Sequence, residues 1–270
     1  MLGKILLVVA ILLALAYLGL CALLHSQQRS LIYFPQATRA DAARTNIAIA
    51  RPDAVLRGWV VNPGRTDAIV YYGGNGESIE SYRDAYREWF PGTTVYLVAY
   101  RGYGASDGEP SETALLGDAL AVFDEVATRH SGGRVGVIGR SLGSGVASYV
   151  ASQRRIVRLA LVTPFDSLAR VAQAHYPVFP VRWLLRDRYE SFRYLPRHHG
   201  ELLVLRAGRD EVIPARNTDR LIAAFPRPAQ VVDFPDDDHN SLSNQARYWS
   251  SLRDFLQPAD GTGLKEQAIR

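Results

Sequence analysis

The chain has 270 residues, 31 Lys and Arg against 27 Asp and Glu, and a formal net charge of +4. That mild basic surplus suits an anionic membrane surface. No basic–aromatic nucleic-acid motif accompanies it, so no nucleic acid is expected as a partner. The single cysteine, Cys21, excludes an intrachain disulfide. No zinc-type Cys/His cluster is present, and no metal or organic cofactor is expected.

Ile5 to Leu24 is an almost unbroken apolar run, preceded only by Lys4. As a helix its roughly 20 residues span about 30 Å of hydrocarbon. A cleavable signal peptide has a shorter core and a small-residue cleavage site, and neither is found here. The expected anchor is a single uncleaved transmembrane segment, residues 1–26, ahead of a globular domain at 27–257 and a flexible polar tail at 258–270. Lys4 lies before the span and Arg29, Arg39 and Arg44 lie after it, so flanking charge leaves the orientation open.

Beyond the anchor, strand patterns near 55–61, 67–72, 94–99, 135–139, 159–162, 201–206 and 229–234 alternate with helical patterns near 79–90, 112–130, 143–154, 167–175, 215–225 and 244–256. Such alternation predicts an α/β domain with a mostly parallel sheet and helices on both faces. After the second of these strands comes Gly73-Gly-Asn75-Gly76, whose backbone can approach a substrate closely. No Lys-Ser/Thr follows it, which argues against a phosphate-binding P-loop. Tyr100-Arg-Gly-Tyr-Gly104 is a tight loop before a helix that Ser111 can cap. It is expected to be structural, with some substrate contact.

The stretch richest in chemistry is Val135-Gly-Val-Ile-Gly-Arg-Ser-Leu-Gly143. A G-x-S-x-G pattern between a strand and a helix holds its serine on a strained turn. Gly139 and Gly143 remove the Cβ atoms that would clash there. Ser141 is the candidate nucleophile, with the amides of Leu142 and Asn75 as candidate oxyanion donors. A serine needs a base, and the base needs an orienting acid. Asp210 follows the strand at 201–206 and His239 follows the strand at 229–234, so both fall at the carboxyl edge of the sheet. The rival acid is Asp166; the rival base is His175, in a cap insertion at about 163–198. That cap carries aromatic residues able to line an acyl pocket, and Arg182, Arg186, Arg188 and Arg193, able to face anionic lipid. The Asp236-Asp237-Asp238 run reads as a solvated loop.

These pieces, with Leu31-Ile-Tyr-Phe-Pro35, Thr163-Pro-Phe165, Gly208-Arg-Asp210 and His239-Asn240, resemble the membrane-anchored α/β-hydrolase-domain proteins. That group includes depalmitoylase-like acyl-thioesterases and bacterial relatives. The likeness runs from about Arg29 to about Leu256. It implies the α/β-hydrolase fold, a triad of Ser141, Asp210 and His239, and hydrolysis of a small-molecule or lipid-like acyl ester or thioester. It also implies a single-pass protein, in a bacterium at the inner membrane. Two positions depart from the pattern: Gly73-Gly74 stands where many relatives have His-Gly, and Asp236-Asp-Asp-His239 replaces a Gly-x-Gly-His type loop. The competing expectation is a catalytically silent, membrane-tethered binding protein on the same fold.

Overall fold

The computed structural model describes residues 1–257; the expected flexible tail, 258–270, lies outside the described residues. Eight strands build one sheet: β1 (Ile47–Arg51), β2 (Ala54–Val61), β3 (Ala68–Tyr72), β4 (Thr94–Val98), β5 (Val135–Arg140), β6 (Arg158–Val162), β7 (Glu201–Ala207) and β8 (Gln230–Phe234). Their order across the sheet is β1-β2-β4-β3-β5-β6-β7-β8. β2 runs antiparallel to both β1 and β4, and the remaining pairs are parallel. The mostly parallel sheet is the expected one. β1 was not foreseen, because Ile47-Ala-Ile-Ala-Arg51 is short and half exposed, and registers only through its pairing with β2.

The helices are α1 (Leu2–Ile32), α2 (Arg83–Trp89), α3 (Glu112–Arg129), α4 (Leu142–Gln153), α5 (Leu168–His175), α6 (Val181–Leu184), α7 (Ser191–Tyr194), α8 (Ala215–Ala224) and α9 (Ala246–Leu256). Moving from β3 to β4 steps one way across the sheet, whereas β4 to β5 and β5 to β6 step the other way. Right-handed crossovers therefore put α2 on one face and α3 and α4 on the opposite face. The packing agrees, α2 lying against α9 and α3 against α4. Between these layers β3 and β4 are buried at every residue. Strands covered on both faces need continuous apolar runs, and Ala68-Ile-Val-Tyr-Tyr72 is one.

β3 sits between β4 and β5, so the direction of strand progression reverses there. Such a switch point opens a crevice at the carboxyl ends of the strands. The Gly73–Asn75 loop leaves β3 and Ser141 leaves β5, which places both at that crevice.

α1 passes through residues 26 and 27 without a break and ends at Ile32. Its outer surface is a succession of exposed leucine, isoleucine and valine side chains, and it is long and apolar enough to cross a membrane.

Candidate active site

The turn after β5 brings the nucleophile candidate out of the sheet. Ser141 has φ 50° and ψ −118°, a positive φ at which a residue with a side chain is strained. The strain is held by its neighbours: Ser141 N–H donates to Val162 O at 2.9 Å, and Ser144 N–H donates to Ser141 O at 2.8 Å. Glycine is needed two residues to either side. A Cβ on Gly139 would lie 2.4 Å from Gly143 O, and one on Gly143 would lie 2.0 Å from Tyr72 O. The G-x-S-x-G spacing is thus the condition for α4 to start against the end of β3.

Three residues far apart in the chain meet at this turn. Ser141 Oγ lies 2.9 Å from His239 Nε2, and His239 Nδ1 lies 2.8 Å from Asp210 Oδ2. The arrangement makes Nδ1 the protonated ring nitrogen, donating to the carboxylate, and leaves Nε2 to accept the serine proton. Asp210 Oδ1 accepts the amides of Val212 at 2.9 Å and Ile213 at 2.7 Å, which fixes the carboxylate with its second oxygen toward His239. His239 and the Asp210 side chain are both buried.

Two backbone amides complete the setting. Leu142 is the first residue of α4, so its N–H has no intrahelical acceptor. Gly74 N–H is occupied, donating to Glu77 Oε2 at 2.7 Å. Asn75 is held at its other groups: its carbonyl accepts from Phe34 N–H at 3.0 Å and Tyr103 Oη–H at 2.8 Å. Its side-chain amide donates to Ile32 O at 2.9 Å, one of the carbonyls left over at the end of α1. Among the described residues the Asn75 N–H has no acceptor.

The rival residues have other occupations. Asp166 is fully buried and accepts from Arg170 at 2.7 Å, Asn217 at 2.7 Å and Ser167 N–H at 2.8 Å, so it ties cap to core. His175 contacts Val212 O at 2.9 Å. His198 is buried against Phe225 and Glu201 O, and burial, then the nearby Arg227 and His199, hold its imidazole below the ordinary value. The acidic run shapes the His239 loop. Asp238 Oδ1 accepts from Asn240 N–H at 2.7 Å and Ser241 N–H at 2.9 Å, and these bonds hold its carboxyl below the usual range. Asp236 turns outward to Arg209.

Two further residues escaped the sequence reading. Arg140, the variable position of the motif, is a buried guanidinium that pairs with Glu77. It also donates to Tyr82 Oη at 2.8 Å, His239 O at 3.2 Å and Asn240 Oδ1 at 3.2 Å. Burial works against its charge, but the Glu77 carboxylate beside it more than offsets this and keeps it protonated. Glu77 in turn accepts from Tyr71 Oη at 2.8 Å and from Gly74 N–H. One ion pair therefore joins the Gly73–Asn75 loop to the His239 loop. An arginine next to the serine was the only hint in the sequence, and its burial and its partner depend on the fold. The Tyr100–Gly104 loop braces the same region, with Tyr100 Oη–H donating to Gly73 O at 3.0 Å. None of its residues lines the cavity beside Ser141, so the expected substrate contact is absent there.

That cavity has a volume of about 510 Å³. Asn75, Ser141 and Leu142 form its floor, and Phe165, Phe179 and Leu184 belong to its cap side. Leu20, Leu24 and Leu31 of α1 form another wall. Among the described residues no charged side chain lines it. Among the described residues, no group of three or more His, Cys, Asp or Glu side chains is gathered as a metal would require.

The family model described as "Serine aminopeptidase, S33" matches residues 65–198. An uncharacterized protein of Mycobacterium tuberculosis is 35% identical over 240 residues, covering 84% of this chain and 85% of its own length. The chain belongs to the S33 family of α/β-hydrolases. A second relative of the hydrolase, an uncharacterized membrane protein of Saccharomyces cerevisiae, is 28% identical over 271 residues, covering 91% of this chain and 94% of its own. Among solved structures, a Pyrococcus furiosus esterase superposes on the hydrolase with a TM-score of 0.60, covering 83% of this chain and 97% of its own at 18% identity. At that identity the likeness speaks for the fold alone.

Proposed function

We propose that this hydrolase is a membrane-anchored serine esterase or thioesterase that works through an acyl-enzyme on Ser141. The observation that carries the reading is the hydrogen-bonded series Ser141–His239–Asp210, whose serine opens onto the floor of an uncharged, largely apolar cavity. His239 takes the Ser141 proton as Oγ attacks the acyl carbonyl. Negative charge moves onto the carbonyl oxygen, where the Leu142 and Asn75 amides receive it. His239 then hands its proton to the leaving alcohol or thiol, and Asp210 stabilises the imidazolium between the two transfers. Water deprotonated by the same base releases the acid and restores Ser141.

An aminopeptidase reading meets an obstacle in the cavity. A free α-ammonium group entering an apolar site requires a carboxylate to pair with, and none of the lining residues carries one. The apolar walls favour an acyl chain instead. The exposed apolar face of α1 supports attachment to a membrane, which in a bacterium is the inner membrane.

The test is labelling of the full chain in detergent by a fluorophosphonate, comparing wild type with Ser141→Ala and His239→Ala. Labelling that requires both residues is expected, followed by turnover of p-nitrophenyl esters and acyl thioesters but not of aminoacyl anilides. A folded wild-type chain that never labels would overturn the proposal in favour of a silent binding protein. Preference for the anilides would return it to peptidase chemistry.

A further inference from the structure

The cap and α1 meet along a strip that extends well into the apolar run. At its far end the Tyr17 ring stacks on Phe179, with centroids 5.9 Å apart and planes 3° apart, and Tyr17 Oη–H donates to Val178 O at 2.8 Å. At the near end a polar clasp closes on the cap: His25 Nδ1 lies 2.7 Å from Leu184 O, Gln28 Oε1 accepts from Arg186 N–H at 2.6 Å, and Arg29 pairs with Asp187 at 3.3 Å. The uncharged run ends at Leu24, so the Tyr17 contact lies about 10 Å inside it along the helix.

This geometry leaves few ways to seat the molecule in a bilayer. If the whole cap stayed in water, only the turns of α1 before Tyr17 would be free to span. They are about 22 Å long at 1.5 Å per residue, against a hydrocarbon layer of about 30 Å. If Ile5–Leu24 fills the layer, the cap segment around Val178 and Phe179 enters it. The cap is built for that. Tyr176, Val178 and Trp183 are 59%, 70% and 83% exposed, large apolar groups that water solvates poorly. Among the cap charges, Arg186 lies against His25 and Asp187 against Arg29 at the clasp. Arg182 is the one charged residue within Tyr176–Leu184 and is exposed beside Trp183, and its long stem lets the guanidinium reach toward the headgroups. Leu20 and Leu24, inside the same apolar run, are walls of the catalytic cavity.

We propose that the cap segment Tyr176–Leu184 is sunk in the bilayer beside α1, and that long acyl chains pass sideways from the hydrocarbon into the cavity between them. The anchor is then part of the binding site, and the substrate is a membrane-resident acyl ester or thioester whose chain never crosses water. This rests on the acyl-hydrolase reading of Ser141, and adds to it where the chain comes from.

The experiment uses the full chain reconstituted in phosphatidylcholine vesicles brominated midway along their acyl chains. The emission of Trp183, taken as wild type minus Trp183→Phe, is expected to be quenched by the bromolipid and protected from aqueous acrylamide. The reverse pattern overturns the proposal, and the measurement needs no turnover. The second measurement pairs Val178→Asp with Trp183→Asp in one chain; neither side chain lines the cavity. Charge in the hydrocarbon opposes insertion of the cap, so turnover of a long-chain substrate in vesicles is expected to fall by at least about tenfold. Turnover of a water-soluble short p-nitrophenyl ester should stay at the wild-type rate, which also reports that the variant is folded. Wild-type rates on both substrates would overturn the inference and leave the esterase reading standing. A wild type inactive on the short ester would overturn the esterase reading while the quenching result still decides the insertion. Offering the same chain on a phospholipid and on an S-acylated peptide identifies which source supplies it, and preferential turnover of either in vesicles supports the lateral route.

Discussion

Glu77→Gln tests whether one buried ion pair holds the two halves of the site. The Glu77 and Arg140 side chains are 9% and 7% exposed, so solvent screens them little. The carboxylate accepts from Arg140, Tyr71 and Gly74 at once. A glutamine of the same shape carries an NH₂ group where one of those donors must be met, and it leaves the guanidinium buried without a counter-charge. Breaking a buried pair from one side costs about 3–5 kcal/mol. The lower end applies here, because Tyr82 Oη, His239 O and Asn240 Oδ1 continue to accept from Arg140. For a domain of this size a loss of about 3 kcal/mol lowers Tm by roughly 6–12 °C. Gly74 is freed as well, and the Asn75 amide shifts with it, so kcat on a short ester should fall by about tenfold or more with a smaller change in KM. Urea unfolding of the full chain in detergent, with ester kinetics, measures both. The double variant Glu77→Leu with Arg140→Met, which buries no charge, should be more stable than the sum of its single variants implies. A loss below about 1 kcal/mol, as for an exposed pair, with kcat unchanged would refute the reasoning.

Asp210→Asn should lower kcat by about 10⁴-fold because the amide favours the wrong imidazole tautomer. Asp166→Asn should leave fluorophosphonate labelling intact and lower stability instead, and a loss of labelling there would reassign the acid. Gly143→Ala should destabilise the chain by about 3 kcal/mol or more, since its Cβ would overlap Tyr72 O. Gly117→Ala within α3 meets nothing within 4 Å and should stabilise by about 0.5–1 kcal/mol, so equal unfolding midpoints for the two would contradict the packing argument. His198 has a folded pKa below its ordinary 6.5, first through burial. Its contribution is present above that pH and lost as acid takes the pH down through the folded value. Unfolding midpoints measured downward from pH 7 should therefore fall more steeply for wild type than for His198→Gln.

What the sequence alone determined is local, or is repeated along the chain. The apolar run of α1, the alternation of strands and helices, and the glycines flanking Ser141 follow from propensity, periodicity and excluded volume within a few residues. The chain order of serine, acid and histidine at strand ends was legible for the same reason, and the structure brings those residues together. β1 was not legible, because a half-exposed strand of five residues is defined by its partner. The pairing of Arg140 with Glu77 spans the switch point between β5 and the loop after β3, and a charge in a motif does not name its counter-charge. The wall that α1 gives to the cavity also depends on tertiary structure: Leu20 and Leu24 read as lipid-facing leucines until the cap closes on them. A hydrophobic side chain specifies only that it leaves water. Whether it then faces lipid or substrate is decided by what the fold packs against it.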